Sequence, residues 1–78
     1  MDKALLAAEA QRMLDNEAIQ AAIAHIRAEA LDGLVSASPT DADAIREHQA
    51  TVRVVDAFTA RIARMISDGK PKLKAGLA

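Results

Sequence analysis

The sequence predicts an all-α protein, an antiparallel helical hairpin with a short additional N-terminal helix. The first observation is the segment from Asp41 to Asp68, which no proline or glycine interrupts and in which apolar residues recur at three- and four-residue steps. That spacing lines up one face of an α-helix. The second is a short loop around Pro39, between this segment and an earlier helical pattern. The third is an alanine-rich composition with 1% aromatic residues, which is typical of helical hairpins.

The length and composition limit both the architecture and the kinds of site. A chain of 78 residues makes one small domain, in the size range where a single core is marginal without a disulfide, a metal or a partner chain. There is no cysteine, and the two histidines, His25 and His48, lack the spacing of a zinc site. A net charge of -1 gives no long-range attraction to nucleic acid or to an acidic membrane. Association with another protein is therefore the expected reinforcement.

The first helix is predicted at about residues 3–14, with Asp2 as its N-cap. It should end at Asp15 and Asn16, because both side chains prefer caps and turns to helix interiors. We expect a break here, with one of these two residues capping the next helix. The first residues lack the continuous apolar core of a signal peptide, and no apolar run is long enough to cross a membrane, so an intracellular location is expected.

The second helix is predicted at about residues 17–36. Its apolar stripe is narrow and consists of Ile19, Ile23, Ile26, Ala30 and Leu34. Gly33 lies near the end of this helix, where a missing side chain either allows another helix to approach closely or marks the point at which the helix frays. Of these two interpretations, the sequence favours fraying.

The third helix is predicted at about residues 41–68, with Thr40 and Asp43 forming an approximate capping box at its start. Because the loop before it is short, the second and third helices must lie antiparallel. The third helix is the longer one, and we expect the N-terminal helix to fold back over its far end. Gly69 is the expected helix stop, so that residues 1–69 form one domain and residues 70–78 a basic C-terminal tail.

The long third helix carries apolar residues over a wider arc than one partner helix can cover. We expect the surplus to form a protein-contact surface, used for self-association or for docking on a larger protein. The expected contact residues are Val55, Phe58, Ile62, Met65 and Ile66.

A basic ridge is predicted on another face of the long helix and in the tail. Its members are Arg46, Arg53, Arg61, Arg64, Lys70, Lys72 and Lys74. Alanines, and no acidic residue, are expected between the arginines on the helical wheel. Such a ridge suits phosphate contact, docking on an acidic protein surface, or simple solvation. No aromatic residue is interleaved with it, which argues against binding of single-stranded nucleic acid.

The sequence predicts no catalytic, cofactor-binding or metal-binding site. It has no serine or cysteine placed with a histidine and an acid, no paired carboxylates on separate elements, and no glycine-rich phosphate loop. His25 has Glu29 four residues on and is expected to lie exposed beside it. His48 projects near the apolar stripe of the long helix and is expected to be a half-buried structural residue. We therefore expect neither enzymatic activity nor a small-molecule substrate.

One resemblance covers about residues 4–70. The chain has a small N-terminal helix ending in Met13-Leu14-Asp15-Asn16, an amphipathic helix, a short Ser/Pro/Asp loop, and a long helix that opens with an acidic turn and Arg46-Glu47. In these features it resembles the short helical-hairpin proteins encoded among the structural and packaging genes of tailed bacteriophages and prophages. The resemblance implies a virion or assembly role, in the virion or the bacterial host cytoplasm, and it assigns no functional residue.

The residues and the resemblance together predict a non-enzymatic structural or interaction subunit of a bacteriophage particle or its assembly. Two alternatives stay open. One is a small nucleic-acid-associated packaging or regulatory protein that uses the basic ridge, and the other is an inhibitor of a host protein. Retention on duplex DNA that weakens steeply as salt rises would favour the first alternative.

Overall fold

The computed structural model describes residues 2–69. These residues form three helices and no strand: α1 (Lys3–Asp15), α2 (Glu17–Ser36) and α3 (Ala42–Gly69). The predicted fold class, an all-α helical hairpin with a short N-terminal helix, is confirmed. Each observed helix end lies within one residue of its predicted position. The predicted basic tail, residues 70–78, lies outside the described residues.

The first two helices begin where a side chain caps them. The Asp2 carboxylate accepts hydrogen bonds from the backbone N–H groups of Ala4 at 2.7 Å and Leu5 at 3.0 Å. Asn16 separates α1 from α2, and its side-chain oxygen accepts a hydrogen bond from the Ile19 N–H at 3.0 Å. These bonds satisfy donors that a helix start leaves without an intrahelical acceptor. Asn16 is therefore the residue that breaks the N-terminal half of the chain into two helices.

The start of α3 differs from the predicted capping box. Asp41 is the cap, because its carboxylate accepts a hydrogen bond from the Ala44 N–H at 3.1 Å. Thr40 lies one residue too early for that role, and its hydroxyl lies 3.0 Å from the Ser38 hydroxyl instead. The predicted capping box of Thr40 and Asp43 is therefore wrong, because the cap is the next residue, Asp41. Thr40 and Asp41 both have side chains suited to capping, and the sequence alone does not distinguish them.

Helices α1 and α2 follow one another along α3, and each packs mainly on α3 rather than on the other. Lys3 at the start of α1 lies beside Gly69 at the end of α3, so α1 runs antiparallel to the C-terminal part of α3. Gly33 in α2 lies beside His48 near the start of α3, so α2 runs antiparallel to the N-terminal part. The short first helix thus covers the end of α3 that α2 does not reach.

The buried core is small and lies between α1 and the C-terminal part of α3. Its members are Ala10, Ile62 and Ile66, with the partly buried Met13, Leu14 and Met65 packed around them. Only 4% of the Ile62 surface and 8% of the Ile66 surface is exposed. The prediction that Ile62 and Ile66 contact a partner is therefore wrong, because α1 already covers them.

Two glycines allow close contacts between helices. A Cβ at Gly33 would overlap the His48 imidazole, and a Cβ at Gly69 would overlap the Lys3 carbonyl oxygen and the Ala7 side chain. Both glycines are thus placed where a neighbouring element occupies the space of a side chain. The favoured interpretation of Gly33 as a fraying point is wrong, because α2 continues past it and packs on α3 there.

Few large side chains are buried. Within the described part of the chain, Ile62 and Ile66 are the only buried residues larger than alanine. The large apolar side chains that stay exposed are Leu5, Ile26, Leu31, Val35, Val54 and Phe58. Fully burying one such side chain would stabilise the protein by about 1.5–3 kcal/mol. The fold therefore leaves a substantial source of binding free energy in contact with water.

Candidate protein-docking surface

A shallow apolar groove lies between α2 and α3. Its lining residues are Ile26 on α2 and Ala50, Thr51, Val54 and Val55 on α3. The groove has a volume of about 410 Å³. The Thr51 hydroxyl is the one polar side-chain group in this lining, and it already donates a hydrogen bond to the Glu47 carbonyl oxygen at 3.1 Å. The groove therefore suits an apolar occupant.

Two side chains that line this groove, and a third one helical turn beyond it, are strongly exposed for apolar residues. Val54 is 67% exposed, Ile26 is 47% exposed and Phe58 is 46% exposed. Phe58 lies four residues after Val54, one helical turn further along the same side of α3. A continuous apolar strip thus leads from the groove towards the C-terminal end of α3.

Val54 and Phe58 are exposed because α1 and α2 pack on a neighbouring side of α3. His48 and Ile66, which contact α2 and α1, point in nearly the same direction on the helical wheel, about 120° from Val54. The side of α3 around Val54 is left without a partner helix in the described structure. We call this side the open face and define it by five exposed residues: Glu47, Ala50, Val54, Phe58 and Arg61.

The predicted contact residues are divided between the core and the surface. Phe58 lies on the open face, Val55 lines the groove and is half-buried, and Met65 is half-buried at the edge of the core. Ile62 and Ile66 belong to the core, as described above. Three of the five predicted residues thus keep area that a partner could contact.

Two apolar residues of this surface, Val54 and Ile26, were not among the predicted contact residues. The sequence does carry a signal that these valines face different sides of α3, because Val52, Val54 and Val55 are too close in sequence to face one side of a helix together. Ile26 lies on the predicted stripe of α2, and its sequence position does not distinguish the centre of that stripe from its edge. Its exposure depends on how α2 is rotated against α3.

A second groove continues from the first towards the loop. It is lined by Ile26, Glu29, Ala30, His48 and Thr51. The His48 ring sits against the α2 backbone at Gly33, and His48 is half-buried, as expected. Glu29 lies 2.8 Å from the exposed His25 on its own helix. Among residues 2–69, no three His, Cys, Asp or Glu side chains are grouped so that they could hold a metal ion.

The basic ridge is interrupted by acidic residues. The Arg46 guanidinium lies 4.0 Å from the Asp43 carboxylate, and the Arg64 guanidinium lies 3.8 Å from the Asp68 carboxylate. The expectation of a ridge without acids is therefore wrong, because carboxylates three or four residues away reach the arginines along the helix. Arg53 and Arg61 are exposed.

The predicted ridge lysines fall outside the described residues, as does the rest of residues 70–78. These positions are Lys70, Lys72 and Lys74. The described ridge therefore consists of four arginines on α3, of which two have a carboxylate of the same helix within 4.0 Å.

The chain matches no family model, no curated protein and no solved structure. In the described part of the chain, no helix combines the length and the apolar character needed to cross a bilayer.

Proposed function

We propose that this chain is a non-enzymatic interaction subunit that binds another protein chain through the α2–α3 groove and the open face. The observation that carries the proposal is the exposure of Val54 and Ile26 in one apolar groove, with the exposed Phe58 one helical turn beyond Val54 on α3. Singly exposed apolar residues are ordinary on protein surfaces, whereas a contiguous apolar patch marks an interaction site. Ile26 and Val54 line the same groove between two adjoining helices, and Phe58 follows Val54 by one helical turn on the same side of α3.

The small core supports the same proposal. Ile62 and Ile66 are the only large side chains buried in residues 2–69, and a core of this size is marginal for a chain without disulfides. Covering the open face would add buried apolar area without changing the fold. Binding of a partner, the proposed function of this chain, would thus also stabilise the hairpin.

The resemblance to phage helical-hairpin proteins gives this proposal its biological setting. In that setting the subunit belongs to a bacteriophage virion or its assembly, in the particle or the host cytoplasm, and it docks on a larger structural protein or on itself. An inhibitor of a host protein would use the same kind of surface, so the identity of the bound protein distinguishes these roles.

Site-specific photocrosslinking tests the proposal. A photoreactive benzophenone amino acid at Val54 should crosslink to protein in cells that produce the full chain. The control position is Val35, which is 87% exposed on α2 and lies outside both grooves. Adducts from position 54 and not from position 35 are expected, and mass spectrometry identifies the captured chain. An absence of adducts at position 54 would contradict the proposal.

Binding of nucleic acid through the basic ridge is the second candidate. The exposure of Arg53 and Arg61 favours it, whereas the carboxylates of Asp43 and Asp68 beside the other two arginines weaken it. A phosphate-binding surface loses affinity steeply as salt rises, because binding releases counterions. Retention on duplex DNA at low salt, lost when Arg53 and Arg61 are both replaced by glutamine, would support this candidate.

A further inference from the structure

The charged residues of the open face are arranged symmetrically about Val54. Glu47 lies seven residues before Val54, and Arg61 lies seven residues after it. Seven residues make almost two helical turns, so Glu47 and Arg61 each point within about 20° of the direction of Val54, one on either side of it. The open face therefore has an acidic end, an apolar centre and a basic end.

We infer that the open face binds a second copy of this chain, with the two α3 helices antiparallel and Val54 at the two-fold axis. This inference rests on the proposed function, because it names the partner of the same surface. In this register, Val54 packs on Val54 of the second copy. Phe58 packs over Ala50 of the second copy, and Arg61 faces Glu47 of the second copy.

Charge complementarity selects this orientation. In the antiparallel arrangement, symmetry creates two pairs between Arg61 and Glu47, one at each end of the interface. In a parallel arrangement, Arg61 would face Arg61 and Glu47 would face Glu47, which is repulsive at both ends. Neither residue forms an ion pair within residues 2–69, so both charges remain available for a partner.

The sizes of the apolar residues also complement one another. Phe58 is the largest apolar side chain of the open face, and the position opposite it in this register is Ala50, the smallest. A large residue facing a small one allows two helices to pack closely. Because Ala50 lines the α2–α3 groove, the Phe58 ring of the second copy would enter that groove beside Ile26.

The length of the open face determines how tightly the two copies are expected to bind. From Glu47 to Arg61 the helix rises about 21 Å, which is short for a permanent interface. We therefore expect the dimer to dissociate on dilution. A closed two-fold contact uses the open face of both copies, so it ends at two chains and does not grow into a filament.

Sedimentation of the purified full chain over a range of concentrations tests the inference. The expected mass rises from 8.3 kDa to twice that value as concentration increases. Arg61→Glu alone and Glu47→Arg alone should each weaken dimerisation about tenfold or more, because each places like charges together at both ends. An equal mixture of the two variants should form a dimer again, since every facing pair is then opposite in charge.

Asp32→Lys provides the control, because Asp32 is exposed on α2 and lies outside both grooves. This variant should dimerise as the unchanged protein does, and circular dichroism should show equal helix content in all variants. A monomer at every concentration, or a mixture that fails to dimerise, would overturn the inference. If position 54 still crosslinked to a different protein in either case, the proposed interaction role would stand and only the identity of the partner would be wrong.

Discussion

Arg27 on α2 and Asp56 on α3 are joined by two hydrogen bonds. The Arg27 Nε donates to Asp56 Oδ1 at 2.8 Å, and Nη2 donates to Oδ2 at 3.3 Å. Within residues 2–69 this is the one ion pair that links two helices, since the others join residues three or four positions apart. A two-pronged contact of this kind is directional. Both side chains are about half exposed, so the pair specifies how the hairpin is aligned more than it adds stability.

The first prediction concerns acid unfolding. The hydrogen bond from Arg27, together with its positive charge, lowers the pKa of Asp56 below the ordinary value of 3.8. A carboxyl group with a lowered folded-state pKa stabilises the fold above its unfolded pKa, and this contribution is lost as the pH falls through the folded value. We therefore expect part of the stability to disappear below about pH 4.

Urea unfolding at a series of pH values measures this effect. Asp56→Asn should lower the unfolding midpoint near neutral pH and flatten its dependence on pH between about 5 and 2. Asp32→Asn is the matched control, because Asp32 forms no ion pair among residues 2–69. If Asp56→Asn unfolds with the same acid dependence as the unchanged protein, the ion pair has no role in acid stability.

The second prediction concerns Gly69. Alanine is a better helix former than glycine, and Gly69 is the last residue of α3, so helix propensity alone suggests that Gly69→Ala does not destabilise this helix. The structure predicts the opposite, because the added methyl group would overlap the Lys3 backbone carbonyl oxygen. Backbone cannot rotate away as a side chain can, so we expect destabilisation of about 1–3 kcal/mol, as in overpacked cores.

Chemical denaturation of Gly69→Ala tests this expectation. Serine at the same position should destabilise by a similar or larger amount, because it adds the same Cβ. An increase in stability on Gly69→Ala would show that α1 does not approach the end of α3 as closely as described.

The sequence is sufficient to predict the helices because their signals are local. The period of apolar residues, the cap at Asn16 and the loop at Pro39 each depend on residues a few positions apart. These signals place both ends of each of the three helices to within one residue. They also predict that α3 has more apolar area than α2 can cover.

The candidate site is harder to predict because it depends on how each helix is rotated about its axis. Ile62 and Val54 are both apolar residues of α3, about 80° apart on the helical wheel. Ile62 is buried and Val54 exposed because of the position that α1 takes beside α3, and no local pattern encodes that position. The pairing of Arg27 with Asp56 bridges 29 residues of sequence and is equally inaccessible to local reasoning.

The third prediction concerns the contact between Gly33 and His48. Gly33→Ala should destabilise the hairpin by about 1 kcal/mol, because the new methyl group displaces the His48 ring from α2. In a chain that already carries His48→Ala, the same change should instead stabilise by up to about 1 kcal/mol, since alanine favours a helix and the His48 ring no longer occupies the space of the methyl group.

A double-mutant cycle with these variants measures the coupling between the two positions. The expected coupling is about 1–2 kcal/mol, and the double variant should be more stable than the sum of the two single effects because removal of the ring relieves the clash. Additive effects of Gly33→Ala and His48→Ala would mean that the imidazole does not pack on the α2 backbone at this point.

The fourth prediction separates the core from the docking surface with two substitutions of the same kind. Ile62→Asp places a carboxylate among Ala10 and Ile66 in the core, where an unpaired charge is costly. We expect this variant to lose several kcal/mol and with it most of its helical signal. Val54→Asp changes a residue that is 67% exposed, so the free energy of unfolding of the isolated chain should change by no more than about 0.5 kcal/mol.

Val54→Asp should stay folded but lose dimerisation, so its effect on association is large where its effect on stability is small. Val54→Asp should keep the helical circular dichroism spectrum and lose concentration-dependent mass, because two carboxylates would meet at the centre of the contact. Ile62→Ala provides the milder core variant, with an expected loss of about 2–4 kcal/mol and a dimer that still forms at temperatures where the chain is folded. If Val54→Asp unfolded the chain while Ile62→Asp left it folded, the assignment of buried and open sides of α3 would be reversed.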